Sequence, residues 1–355
     1  MKDSTRELTG HAVSTFTKPL LEVTDLTVRY PLGRGKWLEA VSGISFDLFE
    51  GETLGVVGES GCGKSTVGKA IVQLHPPASG EVSFEGQDLT KVSASALRRV
   101  RPHLQMIFQD PIASLNPRRK VFDIVEEPLK VMKVRSQQER SKRVENLLEQ
   151  VGISPDIARE RTPSEFSGGQ CQRISIARAL AMEPRLIICD EPVSALDVSV
   201  QAQVLNLLED LKVSHQLTLM FISHDLAVVK NISDRVIVMY LGKVAEVAPT
   251  QTLYDTPAHP YTMGLLNAIP DFDPAVGHVE RQREGLSGEI PSPSAPPSGC
   301  RFRTRCPLAR ERCASEEPQL REIGHQHQVA CHYPLEGADR ERARIYGVGA
   351  LAPGF

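Results

Sequence analysis

The chain has 355 residues, 41% of them hydrophobic and 24% charged, with a net charge of −3. These values fit a folded protein of one large domain with an appendage, or of two domains. They give no sign of a polyanionic partner: the one dense basic stretch, RRVRPH at 98–103, is too short for a nucleic-acid arm and reads as solvated surface. No run of eighteen apolar residues occurs, so no segment reads as a membrane span.

Residues 1–19 are polar, lack an apolar signal core and read as a loose tail. The expectation is a cytoplasmic chain whose membrane contacts run through partners. From about Leu20 to Leu265, short apolar runs alternate with helix-period segments, as in an α/β sheet protein. TLGVVG (53–58) reads as a buried strand, and Val67, Ala70, Ile71 and Leu74 after it share one helix face. Roughly 110–180 is rich in charge and helix formers and reads as a helical subdomain inserted into the sheet domain. Within it Val144, Leu147, Leu148 and Val151 repeat the helical spacing. RLIICDEP (185–192) and LTLMFISHD (217–225) are further buried strands, with the helix-spaced Val204, Leu207, Leu208 and Leu211 between them. After Leu265 the texture changes: residues 266–355 hold a proline/serine linker, EIPSPSAPPSG (289–299), and a tail rich in arginine and cysteine.

GESGCGKS fits G-x-x-x-x-G-K-[ST] and lies between a strand and a helix, the setting that motif needs. Its glycines allow successive N–H groups to turn inward into an anion nest, and the helix adds its positive end. Gly58, Ser60, Gly61, Gly63, Lys64, Ser65 and Thr66 are therefore the candidate contacts for a nucleotide's phosphates. Lys64 is the β/γ-phosphate contact, and the Ser65 hydroxyl is a Mg²⁺ ligand. In LIICDE the strand delivers Asp190 and Glu191 at its carboxyl end, where α/β sheets place ligands. Asp190 suits the metal, and Glu191 is free to polarise an attacking water. His224 ends the neighbouring strand, and a lone histidine there serves packing as readily as chemistry.

FSGGQ (166–170) opens a second helix with glycines but no lysine and no metal carboxylate. Its free N–H groups attract an anion, yet it cannot hold a nucleotide alone. The economical reading is that it closes on a γ-phosphate held by the phosphate loop of a second chain.

Together with FQDP (108–111), SALD (194–197) and ISHD (222–225), these motifs resemble the ATP-binding cassette family, in its order, from about Leu20 to Leu265. Phe166 stands where the family's signature usually has leucine. The resemblance implies a P-loop cassette: a mixed α/β sheet core with an inserted helical subdomain. It implies that Gln109 contacts the metal or lytic water, and that Ser167, Gly168, Gly169 and Gln170 meet the opposite γ-phosphate. Asp197 would line the dimer seam, Glu191 would be the general base and His224 the γ-phosphate switch. Tyr30, 28 residues before Gly58, is where such cassettes stack an aromatic ring on adenine; a tyrosine packed at a strand end is the competing reading.

AHPYT (258–262), GEIPSPSAPPSGCRFRTRCP (288–307) and HQVACH (327–332) look like the C-terminal extension of dipeptide/oligopeptide importer ATPases. That resemblance implies a [4Fe-4S] cluster on Cys300, Cys306, Cys313 and Cys331. Zn²⁺ and free thiols are the alternatives, although the spacing is too loose for the C-x₂-C pairs of a typical zinc site. His325, His327 and His332 read as surface residues, and Cys62, Cys171 and Cys189 as small packing residues. The implied partners are a second, paralogous ATPase chain, two permease subunits and an extracytoplasmic binding protein, with the chain peripheral on the cytoplasmic face of the membrane and no nucleic acid involved.

Three functions compete. An ATPase driving peptide import uses every motif, and the same motor could carry glutathione, a nickel chelate or a sugar. A non-transport cassette ATPase acting on DNA or ribosomes usually has a second cassette, a long coiled coil or a basic insertion, none of which is visible. A P-loop kinase leaves FSGGQ without a role.

Overall fold

The computed structural model describes residues 18–33, 35–269, 286 and 288–351, so the expected N-terminal tail lies almost wholly outside the described residues. β1 (Pro19–Gly33) and β2 (Lys36–Phe49) pair antiparallel, β3 (Thr53–Val57) leaves them for a second sheet, and β4 (Ser79–Phe84) and β5 (Gln87–Asp88) return to the first. The second sheet takes β6 (Leu104–Ile107), β7 (Leu186–Asp190), β8 (Thr218–Ser223), β9 (Arg235–Tyr240) and β10 (Lys243–Pro249). It ends with β11 (Arg321–Gly324) and β12 (His327–Val329). Among the described residues its order is β11-β12-β10-β9-β3-β8-β7-β6. It is mixed: β9, β3, β8, β7 and β6 run parallel, and the rest pair antiparallel. This is the α/β architecture that the motifs call for.

Its central strands are buried on both faces, which is why they read as continuous apolar runs. Ile188, Met220 and Ile222 face the core beneath the small sheet and the helix Lys64–Ile71. Ile187, Cys189 and Phe221 alternate with them and face the opposite core, shared with the helices inserted between β6 and β7. Those helices include Val121–Val131, Gln137–Gln150 and Gly168–Leu180. Cys62, Cys171 and Cys189 are buried packing residues.

The structure departs from expectation in three places. The helix after the phosphate loop ends at Ile71; Gln73 turns left-handed (φ 56°), and Leu74 emerges 50% exposed instead of joining the buried face. The extension supplies a sheet strand that the sequence did not signal: β12 adds to the sheet beside β10, pairing Glu246 with Val329 and Val247 with Gln328. His327, expected at the surface, is buried, and its Nε2 lies 2.7 Å from Glu246 Oε1. Glu246 also accepts the N–H groups of Ala258 (2.7 Å) and His259 (2.9 Å), so one buried carboxylate bolts the extension to the sheet. His332, at intermediate burial, places Nε2 3.0 Å from the Glu316 carbonyl.

Candidate functional site

Parallel register assembles the site. Val57 pairs with Ser223, Asp190 with Ile222 and Ile107 with Cys189. The chain therefore leaves β3, β8, β7 and β6 at one sheet edge, with neighbouring strands about 4.8 Å apart. That edge collects the phosphate loop, His224, the Asp190–Glu191 pair and Gln109.

The loop's glycines are required by geometry. A Cβ at Gly58 would lie 2.2 Å from the Met239 carbonyl oxygen, and one at Gly63 2.4 Å from that of Ala40. Both glycines have positive φ (153° and 104°), and Gly63 caps the helix. Ser60 and Gly61 form the exposed tip. Lys64 is buried, and its Nζ donates to the carbonyls of Gly58 (2.7 Å) and Glu59 (3.2 Å), so the ammonium already lies within the loop. The Tyr30 hydroxyl lies 3.5 Å from Thr66 Oγ1 and its ring is edge-on to His75 at 5.2 Å. Tyr30 is half-buried beside the loop's helix, and its ring also packs against the core beneath the small sheet, so both readings of it stay open.

The polar side chains at the edge form two groups. Ser65 Oγ donates to Asp190 Oδ1 at 2.6 Å. Burial raises the Asp190 pKa, and the Ser65 hydrogen bond works against that rise. Two hard oxygen ligands in contact fit Mg²⁺. Separately, Glu191 is bracketed: Gln109 Nε2 donates to its Oε2 at 2.9 Å, and His224 Nδ1 lies 3.3 Å from its Oε1. Gln109 therefore stands with the carboxylate expected to act on water rather than with the Ser65–Asp190 pair.

Ser167 caps the helix Gly168–Leu180 in a reciprocal box. Gln170 N–H donates to Ser167 Oγ (3.3 Å), and Ser167 N–H to Gln170 Oε1 (2.9 Å). The Gln170 side chain is thus occupied locally, while Ser167 is exposed. The two glycines differ. A Cβ at Gly169 would lie 2.5 Å from Val200 Cγ1, a reason for glycine inside the chain; at Gly168 it would meet only Leu196 at an ordinary 3.6 Å. Asp197 is exposed at the start of the helix Val198–His215.

Cys300, Cys306, Cys313 and Cys331, separated by five, six and seventeen residues, line one small cavity with Pro260, Phe302 and Leu308, and none of them is in a disulfide. Burial raises the Cys300 thiol, and the nearby backbone of Phe302 and Arg303 works against that rise, as does that of Leu308 for Cys306 and of Tyr333 for Cys331. Burial pushes the Cys306 and Cys331 thiols up to about 12. Among the described residues no group of three or more histidine, cysteine or acidic side chains is arranged to hold a metal ion.

The sequence reading missed a groove of about 560 Å³ whose lining includes Val72, Leu74, Met106, Phe108, Ile124 and Val131. Its signal was present as apolar residues just past a helix end, with Leu74 and Val131 left exposed. Among the described residues no helix is long and apolar enough to cross a membrane.

Residues 41–194 match the ABC transporter family and residues 245–313 the C-terminal region of oligopeptide/dipeptide transporters. The chain is 51% identical to the oligopeptide transport ATP-binding protein AppF of Bacillus subtilis, over 88% of this chain and 97% of that one. It is 52% identical to OppF of Salmonella typhimurium, over 90% and 98%. Among solved structures it resembles the ATP-binding cassette MJ0796 in a dimeric post-hydrolysis state bound to ADP and Pi (TM-score 0.59, 30% identity, 65% of this chain and 98% of that one).

Proposed function

The chain belongs to the ATP-binding subunits of oligopeptide ABC transporters, and from that premise we propose that it hydrolyses ATP at a site shared between two cassettes. The observation that carries this reading is the Glu191 carboxylate bracketed by Gln109 and His224 beside a loop already holding Lys64. On ATP binding, Lys64 exchanges the Gly58 and Glu59 carbonyls for phosphate oxygens. A magnesium ion on Ser65 and Asp190 would neutralise charge on the β- and γ-phosphates. Glu191 takes a proton from water as the water oxygen attacks the γ-phosphorus and the bond to the β-phosphate oxygen breaks, leaving ADP and phosphate. Gln109 holds the Glu191 carboxylate in place, and His224 is free to turn to the γ-phosphate.

Gly168 supports the second cassette. Among the described residues there is room for a side chain there, so the glycine answers to something outside, and we assign that to the nucleotide on the opposite chain. Closure around ATP would then work on permeases seated in the apolar groove, whose wall includes Phe108, next to Gln109. We place the chain on the cytoplasmic face through those subunits, with an external receptor supplying peptide and a paralogous ATPase as the second cassette. In vesicles holding the permeases and receptor, ATP should drive peptide uptake, and Lys64→Ala should abolish it. ATP-independent uptake, or uptake surviving Lys64→Ala, would refute the reading.

For the four cysteines that line one cavity we propose the iron–sulfur cluster that the extension's resemblance implies, with Zn²⁺ as the alternative. Chain purified without oxygen should contain iron and sulfide, both lost in Cys306→Ser. Zinc alone, or no metal, would reject the assignment.

A further inference from the structure

Glu59, the first residue after Gly58, puts a carboxylate beside a loop built to receive a polyanion. Left unneutralised it would repel phosphate. Its backbone is held on both sides: its N–H donates to the Tyr261 hydroxyl (3.0 Å), and its carbonyl accepts from Lys64 Nζ (3.2 Å). Its carboxylate is gripped from behind by Arg305, whose Nη1 and Nη2 donate to Oε2 (2.7 Å) and Oε1 (3.1 Å). The Arg305 side chain is 4% exposed and that of Glu59 22%. A two-pronged arginine fixes orientation as well as charge. Arg305 comes from the extension and immediately precedes Cys306. Four residues earlier in the same segment, Arg301 bonds the Leu241 carbonyl and Ser42 Oγ (2.8 Å).

We propose that Arg305 is a positioning residue for ATP: it neutralises and orients Glu59, so the extension sets the affinity of the phosphate loop. The cysteine segment and the nucleotide site are thereby joined through one ion pair, and anything that unseats Cys306 from its cavity weakens ATP binding. The inference rests on the loop binding ATP.

The test is equilibrium binding of ATP to the full chain at low and high salt, with kcat and KM for hydrolysis. Arg305→Met should weaken ATP binding about tenfold and raise KM, with kcat changed far less. Added salt should shrink the difference, because the exposed part of the repulsion is screened. Adding Glu59→Gln to Arg305→Met should restore affinity to within about threefold of the parent, because the charge needing neutralisation is gone. Arg305→Lys, which keeps the charge and serves if the methionine variant does not fold, should lose less than Arg305→Met. A purely structural arginine would lower stability and leave ATP affinity alone, or would give a loss that Glu59→Gln does not repair. Either outcome overturns the inference. A parent chain that binds no ATP would instead overturn the nucleotide reading itself.

Discussion

Glu191 holds its backbone at φ 47°, in the left-handed region that a non-glycine residue adopts at a cost of about 1–3 kcal/mol. Its neighbours fix it there: Glu191 N–H donates to the Ile222 carbonyl at 3.0 Å, and the Ser194 hydroxyl donates to the Glu191 carbonyl at 3.1 Å. The strain turns the carboxylate to where Gln109 and His224 can reach it. Glu191→Gln preserves the shape and removes the base. Phosphate release should fall at least about a hundredfold, a typical general-base contribution, while ATP remains bound. Turnover within tenfold of the parent would remove Glu191 from that role. At this scale the sequence was informative wherever spacing carries the chemistry, as in Gly58, Gly63, Lys64 and Asp190. Arg305 and Glu59 lie 246 positions apart, and no local pattern marks them as partners.

Among the elements, the β11–β12 pair was hidden because strands of four and three residues are too short to show a two-residue period. His327 sits among polar residues and read as surface, although its burial comes from β10 alongside. The buried apolar strands and the helices inserted between β6 and β7 were legible because burial on both faces, or on one helical stripe, writes itself into the sequence. Removing one partner of the His327–Glu246 contact leaves a buried polar group short of a bond. His327→Ala should therefore cost about 3 kcal/mol in equilibrium unfolding and raise amide exchange in β12. An unchanged midpoint and unchanged exchange would show that the contact holds nothing in place.

Across the whole molecule, the incompleteness of FSGGQ as a nucleotide site was visible in the sequence, and the structure adds a reason to look outside the chain for its partner. Gly169 is explained by Val200, but among the described residues Gly168 has no close neighbour that explains it. The four cysteines of the extension, spread over thirty-two positions in the sequence, meet in one cavity, and through Arg305 that cavity adjoins the phosphate loop. Motor and extension are thus joined by the β10–β12 pairing and by the Arg305–Glu59 ion pair, contacts that the proline/serine linker gave no hint of in the sequence. The most direct test of the shared site is ATP hydrolysis per chain, followed over a dilution series for the parent and for Gly168→Asp, with a second cassette added where the chain does not pair with itself. Activity per chain should rise as cassettes pair, and Gly168→Asp should lower the plateau at least about tenfold while leaving ATP binding by its own loop intact. Hydrolysis that is independent of concentration and indifferent to Gly168→Asp would contradict a site built from two chains.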